Sequence, residues 1–322
     1  MSSEFDLIRR YFAKPVVRAA LGAGDDCALL YARPGVQLAV STDMLVEGTH
    51  FLAGADPEKL GHKTLAVNLS DLAAMGADPA YALLAISLPI ADEAWVEAFS
   101  RGFLRLAGQH GVELIGGDTT RGPRVLSVTV IGEIPSGLAL RRNGALRGDD
   151  VWMSGTTGEA ALGLAHLRGQ VVLKGASVER CLERLHSPVP RVELGGRLRG
   201  LANSAIDVSD GLLGDLEHIA QASKVRIELR HAWLPTAPAI LECQESALAA
   251  GCVLGGGDDY ELVFTAPPAR REEILALARE IRLDVTRIGA VTDGEPGVEV
   301  LDAQDRTMSL THRGYDHFAP AS

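Results

Sequence analysis

Acidic residues recur along this chain in one kind of setting. They stand in "GAGDDCALL" (Asp25, Asp26), "VSTDMLVEGTHF" (Asp43), "VNLSDLAAMGA" (Asp71), "LIGGDTT" (Asp118), "AIDVSDGLLGD" (Asp207, Asp210) and "GGGDDYELVF" (Asp258, Asp259). Nearly all flank the end of an apolar strand or the start of a helix, where loops gather on one edge of a sheet and ligands bind. Each one alone reads as a turn or a helix cap, and Asp149 and Asp215 keep that reading. As a set they predict more. Two carboxylates about 4 Å apart repel by about 4 kcal/mol at an effective dielectric of 20. Converging carboxylates must therefore raise their pKa values, at about 1.4 kcal/mol per unit, or recruit divalent cations. Oxygen ligands without His or Cys favour Mg²⁺, which takes a few carboxylates and completes its shell with water and substrate phosphate.

Asp71 is the least like a loop residue. "LAVNLSDLAAMGA" is helical and almost wholly apolar or small, so much of its circumference is expected to be buried. Asn68 and Asp71, three apart, share a face. A bare buried carboxylate costs several kcal/mol, and no Arg or Lys lies at helical spacing on that face; Lys63, eight residues back, is expected on the surface. A metal ion or a protonated carboxyl remains as the partner. The common nucleotide signatures are absent: there is no GxxxxGK[ST], "GAGDDC" stops short of GxGxxG, and "HRD" and "DFG" are missing. "VWMSGTTG" could hold phosphate at a helix N-terminus, but its pattern favours ordinary capping by Thr156 or Thr157.

The elements that must position these residues are legible in outline. An amphipathic helix begins at Ser2 or Ser3, and residues 26–43 read as two strands, "CALLYA" and "QLAVSTD". A long helix over about 57–75 ends at Gly76, with Pro79 beyond it. "AYALLAISL" is a buried strand, and 92–110 a helix with Trp95, Phe99, Phe103 and Leu106 at helical spacing. "VELIGGD" and "RVLSVTVIGEI" add strands. The Gly- and charge-rich segment 136–150 holds no clear element and marks the domain boundary. Beyond it come strand "DVWMSG", helix "TTGEAALGLAHL", helix 190–202, strand "SAIDV", helix 211–222, strand "VRIEL", helix 238–250, strand "YELVFTA", helix 268–282 and a closing strand pair. The expected fold class is mixed α/β in two domains, 1–137 and 149–322, each a sheet layered with helices.

The chain is 322 residues long, 47% hydrophobic and 23% charged, with few aromatics, so Leu, Val, Ile and Ala must build its cores. A net charge of −11 with no basic run beyond "LRRNGALR" disfavours nucleic acid as a partner. It still permits phosphorylated small molecules if cations intervene. No apolar stretch reaches the roughly 20 residues of a membrane span, and "MSSEFDLIRRYFAK" lacks a signal peptide's apolar core. Cys27, Cys181, Cys243 and Cys252 show no CxxC spacing and are expected as buried free thiols in the cytoplasm.

The ordered set "EFDLIRRYF", "GAGDDCALL", "VSTDMLVEGTHF", "KTLAVNLSDLAAMGADP", "LIGGDTT", "AIDVSDGLLGDL", "GGGDDYELVF" and "GYDHF", running from about residue 4 to 318, closely resembles the thiamine-monophosphate kinase family of the aminoimidazole-ribonucleotide synthetase superfamily. The resemblance implies ATP-dependent phosphorylation of thiamine monophosphate to thiamine diphosphate, the final step of that cofactor's synthesis. It also implies several Mg²⁺ ions, ATP as co-substrate and a homodimer built through the N-terminal domains, with the C-terminal domain completing the active site. By motif, Asp26, Ser41, Thr42, Asp43, Asp71, Asp118, Asp207 and Asp210 match metal-binding positions. Gly117, Asp118, Arg142 and Ser209 match ATP-contacting positions, and His50, Asp258 and Tyr315 match substrate-contacting ones. The family usually reads "GGEDYEL", so Asp258 reaches about one methylene less than the usual glutamate, and its contact with the substrate is expected to be weakened or bridged by water.

The chemistry agrees with the resemblance. A phosphate acceptor, with its second pKa near 6, arrives largely deprotonated, so no catalytic base is implied and transfer reduces to holding two polyanions in line. Other enzymes of the superfamily fit less well. Selenophosphate synthetase carries a reactive Cys or selenocysteine near its N-terminal glycine-rich loop, where this chain has Cys27 opening an apolar run. The hydrogenase-maturation protein ends in a cysteine tail, where this chain reads "HFAPAS". A catalytically dead sensor on the same fold is disfavoured by the intact acidic motifs.

Overall fold

Continuous apolar runs such as "AYALLAISL" and "DVWMS" can be satisfied only by strands covered on both faces, and both become central strands. The computed structural model describes residues 4–23, 26–308 and 314, with backbone alone for Glu4 and Phe5. It divides into two units, Met1–Leu72 with Ala77–Gly137, and Ala73–Gly76 with Leu138–Ser322. In chain order the first unit contains α1 (Glu4–Leu7), continued by a π-helical turn Ile8–Phe12, then β1 (Val36–Val46), α2 (Pro57–Ala74), β2 (Asp78–Leu88), α3 (Glu93–Gln109), β3 (Glu113–Arg121) and β4 (Val125–Pro135). Its sheet has the order β1-β4-β2-β3, with β2 and β3 parallel and the other pairs antiparallel.

The second unit contains β5 (Asp150–Ser154), α4 (Glu159–Leu167), α5 (Ala176–His186), α6 (Val192–Leu198), β6 (Ser204–Asp207), α7 (Leu212–Ser223), β7 (Arg226–Arg230), α8 (Pro238–Glu242), α9 (Ser246–Gly255), β8 (Leu262–Ala266), α10 (Arg271–Ile281), β9 (Val285–Thr292) and β10 (Gly297–Leu301). Its strands are ordered β10-β7-β9-β5-β8-β6, with only β10 and β7 parallel. Along β5, Val151 and Met153 enter a core with Leu162, Leu212 and Leu216, while Trp152 enters another with Leu194, Leu198 and Phe264. Side-chain alternation thus covers both faces of the sheet, a mixed α/β layering.

In the first unit α2 is buried nearly all round: Leu65, Ala66, Leu69 and Leu72 are enclosed, and so are Thr64, Asn68 and Ser70. Lys63, expected on the surface, is only 3% exposed. Helix α3 starts where the Asp92 carboxylate accepts from Ala94 N and Trp95 N at 3.1 and 3.2 Å. Trp95, Phe99 and Phe103 stack along one face, with ring centroids 5.1 and 6.2 Å apart. The two helices meet at glycines. A Cβ on Gly61 would lie 2.0 Å from Phe99 O, and one on Gly102 would lie 1.8 Å from Glu58 O.

Several expected elements differ. "CALLYA" forms no strand: Leu29 makes one isolated bridge to Leu21, and Leu29 and Tyr31 are exposed, because among the described residues the run has no neighbour strand to pair with. Cys27 is exposed and Cys243 half-buried, so of the four free thiols only Cys181 and Cys252 are buried as expected. The expected helix 238–250 breaks into α8 and α9 around Cys243. Helix α5 has no counterpart among the sequence expectations, and the boundary segment holds a short 3₁₀ turn, Arg142–Gly144.

Candidate functional site

The Asn68–Asp71 face of α2 lies against β1. Ser41 Oγ donates to Asp71 Oδ2 at 2.5 Å, and Asp43 N donates to Asn68 Oδ1 at 3.0 Å. Asn68 also donates from Nδ2 to Thr64 O at 3.0 Å, which fixes its amide. It thereby satisfies a backbone N–H on an edge strand, a group that otherwise invites stray pairing. Asp71 is half-buried rather than enclosed, so the expected buried bare carboxylate is corrected: a hydroxyl reaches it and solvent is close. Alternation along β1 sets Ser41 and Asp43 on one face and Thr42 on the other. Thr42 Oγ1 donates to Val128 O at 3.0 Å and touches Thr129 Oγ1, so its side chain is not brought together with those of Asp43 and Asp71.

Asp26 belongs to the segment between Leu21 and Leu29, whose bridge closes a loop neck; Gly24 and Asp25 lie outside the described residues. The neck is tied down by Glu113, whose carboxylate accepts from the backbone N–H of Val17, Arg18 and Ala19 at 2.5, 2.7 and 3.0 Å. Burial would raise the Glu113 carboxyl, but those bonds and the Arg18 guanidinium outweigh it and hold the group below its ordinary value of 4.5. A depressed carboxyl contributes stability above its unfolded pKa and loses it as pH falls through the folded one. Glu113→Gln is therefore expected to melt earlier than the parent at neutral pH, with the gap closing below pH 4.5. Thermal melts at about pH 7 and about pH 3.5 check this; an equal gap at both would exclude an ionised tether.

A groove of about 1320 Å³ in the same unit is lined by Asp26, Gly117, Asp118, Thr119, Thr129 and their neighbours. It brings Asp26 together with the Gly117–Asp118 pair. Gly117 has φ +147°, and a Cβ there would fall 1.9 Å from Leu84 O, so only bare backbone can line the groove at that point. At the end of β1, His50 folds back on its own turn: Val46 N donates to His50 Nδ1 at 3.0 Å, and His50 N donates to Val46 O at 2.9 Å. A backbone N–H can only donate, so Nδ1 is the acceptor and the neutral ring carries its proton on Nε2.

In the second unit Asp207 ends β6 and is buried, while Asp210 is exposed. Asp215 organises the turn between them: its Oδ2 accepts from Ser209 N, Asp210 N and Gly211 N at 3.0, 3.1 and 3.1 Å. Burial first, then Asp207 and Asp210, push its carboxyl up to about 8. Asp149 is likewise structural, accepting from Leu146 N and the Asn203 amide. Asp258 N donates to Ser209 O at 2.9 Å, so the "GGGDDY" segment lies beside the Ser209–Asp210 turn. Arg142 is exposed, and its carbonyl accepts from Ser223 Oγ at 2.7 Å. Among the described residues no three His, Cys, Asp or Glu side chains are gathered into one metal-holding group.

The "SGTTG" loop has a role that sequence spacing did not reveal. Neither Thr156 nor Thr157 caps α4; Thr157 Oγ1 donates to Val253 O at 2.9 Å. The cap comes from a hundred residues along the chain, where buried Asp259 accepts at Oδ2 from Gly158 N at 2.7 Å. Burial raises the Asp259 carboxyl well above its ordinary value, against the pull of Gly158 N–H and Arg184.

Family models for the N-terminal and C-terminal domains of AIR synthase related proteins match residues 24–134 and 147–302. The thiamine-monophosphate kinase of Escherichia coli (strain K12) is 45% identical over 322 residues, covering 98% of each chain. The chain belongs to the thiamine-monophosphate kinase family. A crystal structure of thiamine-monophosphate kinase from Stenotrophomonas maltophilia K279a superimposes with a TM-score of 0.84 at 50% identity, over 88% of this chain and 91% of that one. AaThiL complexed with AMPPCP and TMP superimposes with a TM-score of 0.78 at 32% identity, over 89% of each chain. Of the positions matched to the thiamine-monophosphate kinase motifs, Tyr315 lies outside the described residues. No helix among the described residues is long and apolar enough to cross a membrane.

Proposed function

We propose that this chain transfers the γ-phosphoryl group of ATP directly and in line to thiamine monophosphate, giving thiamine diphosphate and ADP. The observation that carries the reading is the α2–β1 contact, where Ser41, Asp43, Asn68 and Asp71 gather oxygen donors with neither His nor Cys. That donor chemistry fits Mg²⁺. Asp26, Ser41, Asp43, Asp71 and Asp118 in the first unit, and Asp207 and Asp210 in the second, would hold several such ions, which supply neutralisation of phosphate charge; Thr42, turned to the other face of β1, does not share the Asp43–Asp71 site.

The chain's own residues then have binding and orienting roles. Gly117, Asp118, Arg142 and Ser209 contact the nucleotide; His50, Asp258 and Tyr315 contact thiamine monophosphate. His50 accepts a backbone N–H at Nδ1 and so keeps its proton on Nε2, which suits a hydrogen-bond donor and not a base. None is needed, because the acceptor phosphate is mostly dianionic near neutral pH. An acceptor oxygen attacks the γ-phosphorus as its bond to the ADP oxygen breaks. The protein works in the cytoplasm as a homodimer formed through its N-terminal units.

Incubation with ATP, Mg²⁺ and thiamine monophosphate should yield thiamine diphosphate. A chiral γ-phosphate donor should give inversion at phosphorus. Labelled ATP without acceptor should leave no acid- or base-labile phosphate on the protein. Net retention, or a phosphoprotein that chases into product, excludes the direct route; absence of thiamine diphosphate excludes the activity.

A further inference from the structure

Just before β8 the chain adopts an unusual conformation. Asp258 and Tyr260 have φ of +70° and +52°, left-handed values that cost a non-glycine residue roughly 1–2 kcal/mol each. Such a turn persists only when its surroundings over-determine it. Two bonds hold it from one side, Asp258 N to Ser209 O at 2.9 Å and Tyr260 N to Val208 O at 2.8 Å. The intervening and following residues, Asp259 and Glu261, anchor it elsewhere.

Glu261 is fully buried and holds four donors. Its Oε1 accepts from Arg184 at 2.6 Å and from Arg191 NH2 at 2.5 Å; its Oε2 accepts from Arg191 Nε and Ser154 Oγ, both at 2.6 Å. Both arginines are themselves largely covered, with side chains 16% and 15% exposed. Arg184 also reaches Thr156 O at 3.3 Å and Asp259 O at 3.5 Å, so one guanidinium spans the strained turn and the "SGTTG" loop. Gly155 makes the approach possible: at φ +52°, a Cβ there would lie 2.3 Å from Glu261 Oε1.

Two buried arginines on one carboxylate are a poor way to gain stability, since desolvation offsets most of the attraction. They are a good way to fix geometry, because the Arg191 fork admits one orientation. We infer that Glu261, clamped by Arg184 and Arg191, is a positioning residue that holds Asp258 beside the Ser209–Asp210 turn for contact with thiamine monophosphate. The inference rests on the reading of Asp258 as a substrate contact given above. Asp258 has a shorter side chain than the family's usual glutamate, so its reach depends the more on where the backbone is held.

The test is a double-mutant cycle on Michaelis constants, with Arg191→Lys keeping the charge but losing the fork. Arg191→Lys is expected to raise KM for thiamine monophosphate about tenfold or more while KM for ATP moves less than about twofold. Asp258→Ala is expected to raise the same constant, and adding Arg191→Lys to it should change nothing further. Should Arg191→Lys fold poorly, Arg184→Lys supplies the same cycle. An unchanged KM in the arginine variants beside a raised one in Asp258→Ala overturns the positioning role alone. Additive effects overturn it too, since the clamp would then not act through Asp258. No effect of Asp258→Ala removes the substrate contact and the inference with it. A merely structural clamp would lower the active fraction and leave both Michaelis constants in place.

Discussion

Asp71→Asn should lower kcat by about a thousandfold, the scale of removing one preorganised charge-stabilising group from a transfer site. The fold should survive. Asparagine keeps an oxygen to accept from Ser41 Oγ, which now bonds Asp71 Oδ2, and Asn68 still holds Asp43 N. What disappears is a negative charge on the α2 face opposite β1. In protein stripped with a chelator, that loss relieves repulsion with neighbouring carboxylates, so the melting temperature should stay level or rise. Asp43→Asn should behave alike. Steady-state rates at saturating and limiting Mg²⁺, with melts in chelator, separate the two readouts. Near-normal activity at limiting Mg²⁺ would exclude Asp71 as a ligand.

Gly102→Ala should strongly destabilise the first unit. Its Cβ would sit 1.8 Å from Glu58 O and 2.8 Å from Glu58 C, both backbone atoms that no rotamer change can move aside. Helices α2 and α3 would have to part, and overpacking of this kind costs about 1–3 kcal/mol or more. For a domain of this size the melting temperature should fall by about 5–10 °C. Gly61→Ala, whose Cβ would meet Phe99 O at 2.0 Å, should do the same. One separation of the helices accommodates both methyls, so the double variant should lose less than the sum of the two. Differential scanning calorimetry checks this; a melt within about 1 °C of the parent would show that the helices are not locked at these glycines.

Much of the candidate site was legible because its signals are local. Asn68 and Asp71 share a helical face by their spacing of three, and that face does meet β1. Period-two alternation also separates Thr42 from Ser41 and Asp43, a consequence the motif resemblance alone obscured. The strand expectation for "CALLYA" failed because an apolar run says nothing about whether a partner edge exists. Lys63 is buried and Asp71 only half-buried, against expectation, because burial depends on which elements cover a helix, and composition does not encode that. Cys181 and Leu185, the buried pair of α5, stand four apart and could have betrayed that helix. The Glu261 clamp was out of reach: its partners Ser154, Arg184 and Arg191 lie 107, 77 and 70 residues away in the chain.

The closure of α4 by Asp259 has a consequence for how polyanions distribute over this molecule. A strand, a glycine-rich loop and a helix start would ordinarily present several N–H groups and a partial positive charge to any passing phosphate. Here the Gly158 N–H at that helix start is occupied from within by the Asp259 side chain, whose Oδ2 sits 2.7 Å away. A nucleotide triphosphate would find that donor already taken. For the phosphorylated substrates proposed above, such a terminus left open would compete as an unproductive landing place, and filling it internally would remove a decoy.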